Sequence, residues 1–343
     1  MKKTRFIPLL MILPFVFTSC GKNSINISIF LYNSNDTFIN SLEKSLTEKL
    51  EIYGYNTKSF FAEGSQLVQN EQIVQELKKS DILVVNPVDR ISSSLIIEKA
   101  QKTNKPVIFV NREPRIEDLK GTENCFYVGT NPQSEGEIQA KIIEEYFIDN
   151  QTFLDKFDKN KNGMIDIILI KGEQGHQDTE NRSIYFLNAL KKSSFQTRVL
   201  DARFCDWDRS KAESYLKEIY SQYEKDIDVI VSNNDDMAMG AADFLKTTEG
   251  YDHDMTMDEN FFPIIGVDGT NVGLEGIKNG DIYATVKNEE VKQATAIIDL
   301  IDLVFGKKEY KDLEYEFING NFIHINGIKI DKNNVESYLN SLK

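Results

Sequence analysis

The chain has 343 residues, 41% hydrophobic and 27% charged, with 19 Gly and 7 Pro, a globular mixture that excludes a disordered, collagen-like or disulfide-scaffold protein. It is longer than one hydrophobic core usually organises, so two lobes are expected. With 40 basic against 54 acidic residues, the net charge of −14 argues against nucleic acid as a partner, and three Cys without metal-type spacing exclude a zinc module.

Residues 1–20, MKKTRFIPLLMILPFVFTSC, read as an export signal. Lys2, Lys3 and Arg5 form a basic region ahead of the apolar run Phe6 to Phe17. That run is too short to cross the ~30 Å hydrocarbon core as a helix. Cys20 follows the small residues Thr18 and Ser19, where a bacterial lipoprotein signal places its lipid-modified cysteine. Removing residues 1–19 takes three positive charges from the total of −14 and leaves −17. The expected mature protein is exported and acidic. It meets the membrane surface only through its N-terminal lipid.

Strand and helix signals alternate through the rest. INISIFLY (25–32) leads into a helix from about Thr37, where Phe38, Ile39, Leu42, Leu46 and Leu50 recur at helical spacing. DILVVNPV (81–88), PVIFVN (106–111) and CFYVGT (125–130) read as strands, and a helix runs through EGEIQAKIIEEYF. The scheme repeats with IDIILIKGE (165–173), FQTRVLDARF, IDVIVSNN (227–234), FPIIGVDG (262–269) and YATVKN (283–288), followed by a helix over 289–304. Near-continuous apolar strands separated by amphipathic helices predict an α/β fold of two doubly wound parallel-sheet lobes.

Ligands of such sheets bind beyond the carboxyl ends of the strands. Asn86, Asn111, Asn233–Asn234–Asp235, Asp268 and Asn288 all stand there. One Asn at a strand end is usually a turn or helix cap, but amides and carboxylates recurring at equivalent ends predict a concave polar site. There is no GxGxxG or GxxxxGK[ST] after a strand, no G-x-S-x-G elbow, and no metalloprotease spacing among His176, His253 and His324. A binding protein is expected, not an enzyme.

The motifs VVNPVD (84–89), FVNREP (109–114), YVGT (127–130), KGEQGHQDTENR (171–182), SNNDDMAMG (232–240) and GVDG (266–269) resemble those of the periplasmic galactose/glucose-binding protein family, the sugar receptors of ABC importers. The resemblance runs from about residue 26 to the C-terminus. It implies a type I periplasmic binding protein fold, a three-stranded hinge, a monomer, and a D-galactose or D-glucose ligand passed to an ABC permease. It also implies a pyranose between two rings, Phe38 and Trp207, with its hydroxyls bonded by polar side chains. Asp36, in the family's D-x-F pattern, would meet the 4-hydroxyl. Asn86, Asp178, Arg182, Asn234, Asp268 and Asn288 match the other polar contacts, and His176 heads the same segment as Asp178. The chemistry suits a sugar, whose C–H face packs on rings while its hydroxyls both donate and accept.

A second constellation is DKNKNGMID, residues 158–166. Asp158, Asn160 and Asn162 at positions 1, 3 and 5, Gly163 at 6, the Met164 carbonyl at 7 and Asp166 at 9 follow an EF-hand loop. Leu169 at position 12 cannot ligate, so a continuous EF-hand is excluded. The resembling family supplies the missing carboxylate from a distant strand, at the position of Asp228. A structural calcium, remote from the sugar, is expected.

The resemblance places an N-terminal lobe at 24–111 plus 288–325 and a C-terminal lobe at 112–287 plus 326–343, after the signal at 1–19. A sugar-responsive repressor shares this core but needs a basic N-terminal helix-turn-helix, which the signal segment replaces. A sensor feeding a chemoreceptor or histidine kinase is compatible with the same binding site. A glycoside hydrolase using two of Asp36, Asp178 and Asp268 is the reading from a different class, and a chromogenic galactoside would reveal it.

Overall fold

The computed structural model describes residues 24–248 and 261–341. The signal segment 1–19, Cys20 and residues 342–343 of the expected second lobe lie outside them. A first run holds β1 (Asn26–Leu31), α1 (Thr37–Ile52), β2 (Asn56–Phe61), α2 (Gln66–Glu76), β3 (Ile82–Val85), α3 (Ser93–Lys102), β4 (Val107–Val110), α4 (Ile116–Leu119) and β5 (Cys125–Thr130). A second continues with α5 (Pro132–Phe147), α6 (Asn150–Lys156), β6 (Ile165–Lys171), α7 (Gln177–Leu190), β7 (Thr197–Phe204), α8 (Arg209–Tyr223), β8 (Val229–Ser232), α9 (Asp235–Lys246), β9 (Ile264–Ile265), α10 (Asn271–Asn279) and β10 (Ala284–Lys287). The chain ends with α11 (Glu290–Val304), β11 (Phe322–Ile325), β12 (Ile328–Asp331) and α12 (Val335–Ser341).

These strands form two sheets, ordered β11-β5-β4-β3-β1-β2 and β12-β10-β9-β8-β6-β7. The first is parallel throughout, and in the second only β12 runs antiparallel, against β10. Each sheet is doubly wound, with a buried apolar cluster on either face. The central strands β3, β4 and β8 are buried at every position, as their unbroken apolar sequences require, while edge strand β2 alternates exposed and half-buried residues. Helix α1 shows how local sequence becomes packing. The Asp36 carboxylate accepts from Ile39 N at its N-terminus, and Phe38, Ile39, Leu42, Leu46 and Leu50 bury one stripe, each contributing roughly 1.5–3 kcal/mol. Among the described residues, no helix is long and apolar enough to cross a membrane.

The expected first boundary, after residue 111, is corrected by strand pairing. β5 pairs with β4 from Val107↔Cys125 to Val110↔Val128, so residues 112–130 belong to the first sheet. The chain passes to the second sheet between β5 and α5, back between β10 and α11, and across again between β11 and β12. At this junction Asn131 caps α5, and its amide donates to Asn326 Oδ1 at 2.8 Å, tying two crossing strands together.

Candidate functional site

Parallel strands deliver their carboxyl ends, and the helix N-termini that follow, to one edge of each sheet, and the two edges face each other across a cleft. Three residues of the cleft wall are N-caps. Asp36 accepts from Ile39 N at 2.9 Å, the His176 ring from Asp178 N at 3.1 Å, and Asn234 from Met237 N at 2.9 Å. Helices α1, α7 and α9 thus aim their positive ends at the site, where acceptor oxygens gather.

The cleft brings together Asp36, Phe38, His176, Asp178, Arg182, Trp207, Asn234, Asp268 and Asn288. As the lobes stand, the cleft between these side chains holds about 30 Å³ of free space. Arg182 is 2% exposed and donates through Nε to the fully buried Glu135 at 2.7 Å and through Nη1 to the Asn233 carbonyl. That pair fixes its guanidinium beneath the cleft. Asn288 donates to Asp268 Oδ1 at 2.7 Å, linking the β10 end to a residue whose φ of 114° turns its side chain inward. Asp178 Oδ1 and Asn288 Oδ1 are buried acceptors without a partner. Phe38 is at once a member of the α1 core stripe and a wall of the cleft.

Trp207 is held in place by its backbone and by a glycine. Asp206 and Trp207 both take left-handed conformations, φ 52° and 63°, uncommon for a bulky residue. The indole lies over Gly172, where a Cβ would fall 2.2 Å from the ring, and its edge meets the His176 ring at 5.2 Å between centroids.

Asn86 is the expected site residue that does not line the cleft. It is fully buried behind it, accepting from Tyr32 N at 3.2 Å and donating to the Val110 carbonyl at 3.2 Å and Asn111 Oδ1 at 3.0 Å. Its role is to tie the ends of β1, β3 and β4. Tyr32, Asn111 and Arg112 join the wall instead. Tyr32 donates to Asp36 Oδ2 at 2.6 Å, and the Arg112 guanidinium lies 3.9 Å over the Tyr32 ring. Asn111 was among the strand-end polar residues. Tyr32 closes an apolar run and gives no such signal.

Burial shapes the electrostatics. His176 is held well below its usual range by burial and by Arg112, Arg182 and Arg90, so it is neutral. Its Nδ1 accepts from Asp178 N, which leaves the proton on Nε2. Burial pushes Asp178 up to about 7 against the pull of Arg182, and raises Asp268 well above the carboxylate range. Several bonds bridge the lobes: Arg112 to Glu173 at 2.7 Å, Gln177 to Glu113 at 3.2 Å, and the Thr37 hydroxyl to Asp236.

Far from the cleft, loop 158–166 turns back on itself. Asp158 accepts from Asn162 N and Gly163 N, and Asn162 Oδ1 from Met164 N. Asp228 accepts from Asp166 N at 2.8 Å, while its Oδ1 is buried without a partner, and burial with Asp166 and Asp158 nearby pushes it up to about 8. The all-oxygen donor set has the chemistry of a hard divalent cation site. Asp166 is also gripped by both arms of Arg198, at 2.7 and 2.8 Å, and among the described residues no three carboxylate, His or Cys side chains converge as a ready cluster.

A family model described as a periplasmic binding protein domain matches residues 27–309. A D-galactose/methyl-galactoside binding periplasmic protein of Haemophilus influenzae is 31% identical over 322 residues, 92% of each chain. A ribose import binding protein of Bacillus subtilis is 24% identical over 302 residues, covering 86% of this chain and 87% of its own. A solved ABC transporter periplasmic solute binding protein of Actinobacillus succinogenes, with bound D-allose, has a TM-score of 0.74 at 19% identity, over 92% of this chain and 100% of that one.

Proposed function

The chain belongs to the periplasmic binding protein family, and from that premise we propose that it is an extracytoplasmic receptor for a hexose, D-galactose or D-glucose, which it encloses between its lobes and delivers to an ABC import permease. The observation that carries this reading is the composition of the cleft wall. Phe38 and Trp207 offer ring faces, and around them stand both kinds of hydrogen-bonding group. His176 Nε2–H, Arg182 and Asn111 can donate, while Asp36, Asp178, Asp268 and Asn288 can accept. Asp178 Oδ1 and Asn288 Oδ1 are unpartnered acceptors at the depth where a sugar hydroxyl would complete them. Hydrogen bonds to charged groups contribute about 1.5–3 kcal/mol each, so a few such contacts with two stacking faces support micromolar or tighter binding.

Closure on the sugar converts binding into a shape that a permease reads. The Arg112–Glu173 and Thr37–Asp236 bonds join the lobes and would have to break for them to part. In this reading Cys20 carries the lipid that keeps the receptor at the membrane. Asp158, Asn160, Asn162, the Met164 carbonyl, Asp166 and Asp228 would hold a calcium that pins the start of β6. The ion would neutralise the acidic cluster and supply no chemistry to the sugar.

The test is a titration with galactose, glucose and ribose followed through Trp207, the sole tryptophan. A saturable change at micromolar galactose or glucose is expected. No response to any of the three would refute the hexose reading, and release of a chromophore from a nitrophenyl galactoside would replace it with a hydrolase.

A further inference from the structure

The first lobe brings one carboxylate to the cleft, Asp36, and holds it differently from the two that the second lobe contributes. Asp178 Oδ1 has no partner, and Asp268 takes a bond from Asn288 at Oδ1. Asp36 is bonded at both oxygens. Its Oδ1 accepts from Ile39 N at 2.9 Å, and its Oδ2 accepts from the Tyr32 hydroxyl at 2.6 Å. The first bond is the cap that α1 needs in any case. The second is not required by the helix.

Tyr32 is itself anchored. It follows β1, where its N–H donates to Asn86 Oδ1 at 3.2 Å and its carbonyl accepts from Gly64 N at 2.7 Å. The Arg112 guanidinium covers the Tyr32 ring at 3.9 Å. It is held there because Nη1 donates to the Val88 carbonyl and Nη2 to Glu173 at 2.7 Å. Burial and the neighbouring Asp36 raise the phenol well above its usual range, so it stays protonated and donates. The loop from Tyr32 to Asp36 has other ties. Asn33 Oδ1 accepts from Asn35 N at 2.8 Å, the Ser34 hydroxyl donates to Glu63 at 3.0 Å, and the Asn40 amide donates to the Ser34 carbonyl at 2.8 Å.

The consequence is directional. A carboxylate has about four lone-pair sites, and the torsion that turns it is soft. Bonded to a helix N–H alone, the group still pivots about that bond. With its second oxygen on an anchored phenol, it does not. The lone pairs left over then point in fixed directions, and a hydroxyl on a sugar ring meets them only when its axial or equatorial orientation matches.

We propose that Tyr32 is a positioning residue. Its hydroxyl, clamped beneath Arg112, aligns the Asp36 carboxylate to one hydroxyl of the bound hexose and so sets which stereoisomer is accepted at that carbon. This inference rests on the sugar-receptor reading.

Isothermal titration of the full-length protein, in a detergent without a sugar headgroup, tests it. The ligands are the better-bound of galactose and glucose and each of its four monodeoxy derivatives that keep the anomeric hydroxyl. Tyr32→Phe keeps the ring beneath Arg112 and removes the hydroxyl. It is expected to weaken the parent sugar at least about three-fold, and three of the derivatives by the same factor. The fourth, which lacks the hydroxyl that Asp36 meets, should be unchanged within about 1.5-fold, since it has no alignment to lose. Asp36→Asn, which leaves one acceptor oxygen for both bonds, should weaken the parent and spare the same derivative. A bond that only stapled the loop would weaken every sugar alike. That uniform loss overturns the proposal, as do an unchanged affinity for all of them, a Tyr32→Phe chain that fails to fold, or two variants that spare different derivatives. If the wild-type protein binds neither hexose, the sugar-receptor reading fails first, and the role of Tyr32 with it.

Discussion

Gly172→Ala puts a single methyl where the structure says there is no room. The added Cβ would lie 2.2 Å from one Trp207 ring carbon and 2.4 Å from two others, while ordinary contact begins at 3.4 Å. The indole must withdraw by more than about 1 Å, or the end of β6 must shift. The backbone cannot easily follow, because Asp206 and Trp207 are both left-handed and Asp208 caps α8 immediately after them. The ring therefore pivots away from the cleft. Overpacking of this kind costs about 1–3 kcal/mol of stability. Loss of one well-placed stacking face costs about 0.5–1.5 kcal/mol of binding, roughly a two- to thirteen-fold weaker hexose affinity. Since Trp207 is the sole tryptophan, its emission reports the displacement directly. A cycle with Trp207→Phe, whose smaller ring leaves space for the methyl, should show the two substitutions to be non-additive. The reasoning is refuted if folded Gly172→Ala protein keeps both its emission maximum and its affinity, or if the cycle is additive.

Asp235, buried behind the cleft among Thr270 and Thr285, is pushed up to about 7 by burial. It binds its proton more tightly folded than unfolded, where a carboxyl titrates near 4. Its contribution to stability is therefore full below about pH 4 and lost as pH rises through about 7. Thermal melts of Asp235→Asn should show a shallower fall between pH 5 and 8, and a parallel fall would contradict this. Thr37→Val removes a bond that joins the lobes, so scattering should show a larger open population, and hexose affinity should drop about two- to ten-fold, the worth of one hydrogen bond. Chelator should lower the melting temperature and calcium restore it, more strongly in Arg198→Ala, where Asp166 loses its internal cation; indifference to both would remove calcium from the account. Asn86→Ala should destabilise by about 1–3 kcal/mol, since it leaves the Tyr32 backbone N–H without its acceptor, while Asn111→Ala should mainly weaken hexose binding in calorimetry. The reverse pattern would mean that their roles are exchanged.

The central strands were legible because burial on both faces demands unbroken apolar runs, and α1 because its five buried residues repeat at helical spacing. β2 escaped notice for the complementary reason. An edge strand packs on one side only, and NTKSFF carries no run. Helix α2 buries Gln69 and Glu76 beside a single apolar residue, Ile73, so its sequence looks like solvent-facing chain. The misplaced first crossing has a physical basis too. FVNREP ends a strand with turn residues, but which sheet the next strand joins is decided by its partner, and CFYVGT would suit either sheet. In the site, Asn86 and Asn111 both follow an apolar strand, and sequence cannot say which faces the cleft. The structure separates them through the backbone: Asn111 sits at φ 59°, whereas Asn86 points back into the strand ends. Tyr32 was hidden because an aromatic ending an apolar run looks like core.

The threefold passage between sheets also imposes an order of events on biosynthesis. The first sheet gains its β5 neighbour only from residues 322–325, and α1 gains its α11 cover only from residues 290–304. A nascent chain that has produced every residue through β10 still lacks the strand that covers β5 in one sheet and the strand that covers β10 in the other, and its first helix lacks α11. Contacts closed across such sequence distances form late and slowly. The interleaving therefore acts as a delay. The polypeptide remains threadable through a translocation pore while it is being made, and completes both sheets only after its last sixth, residues 288–343, has emerged.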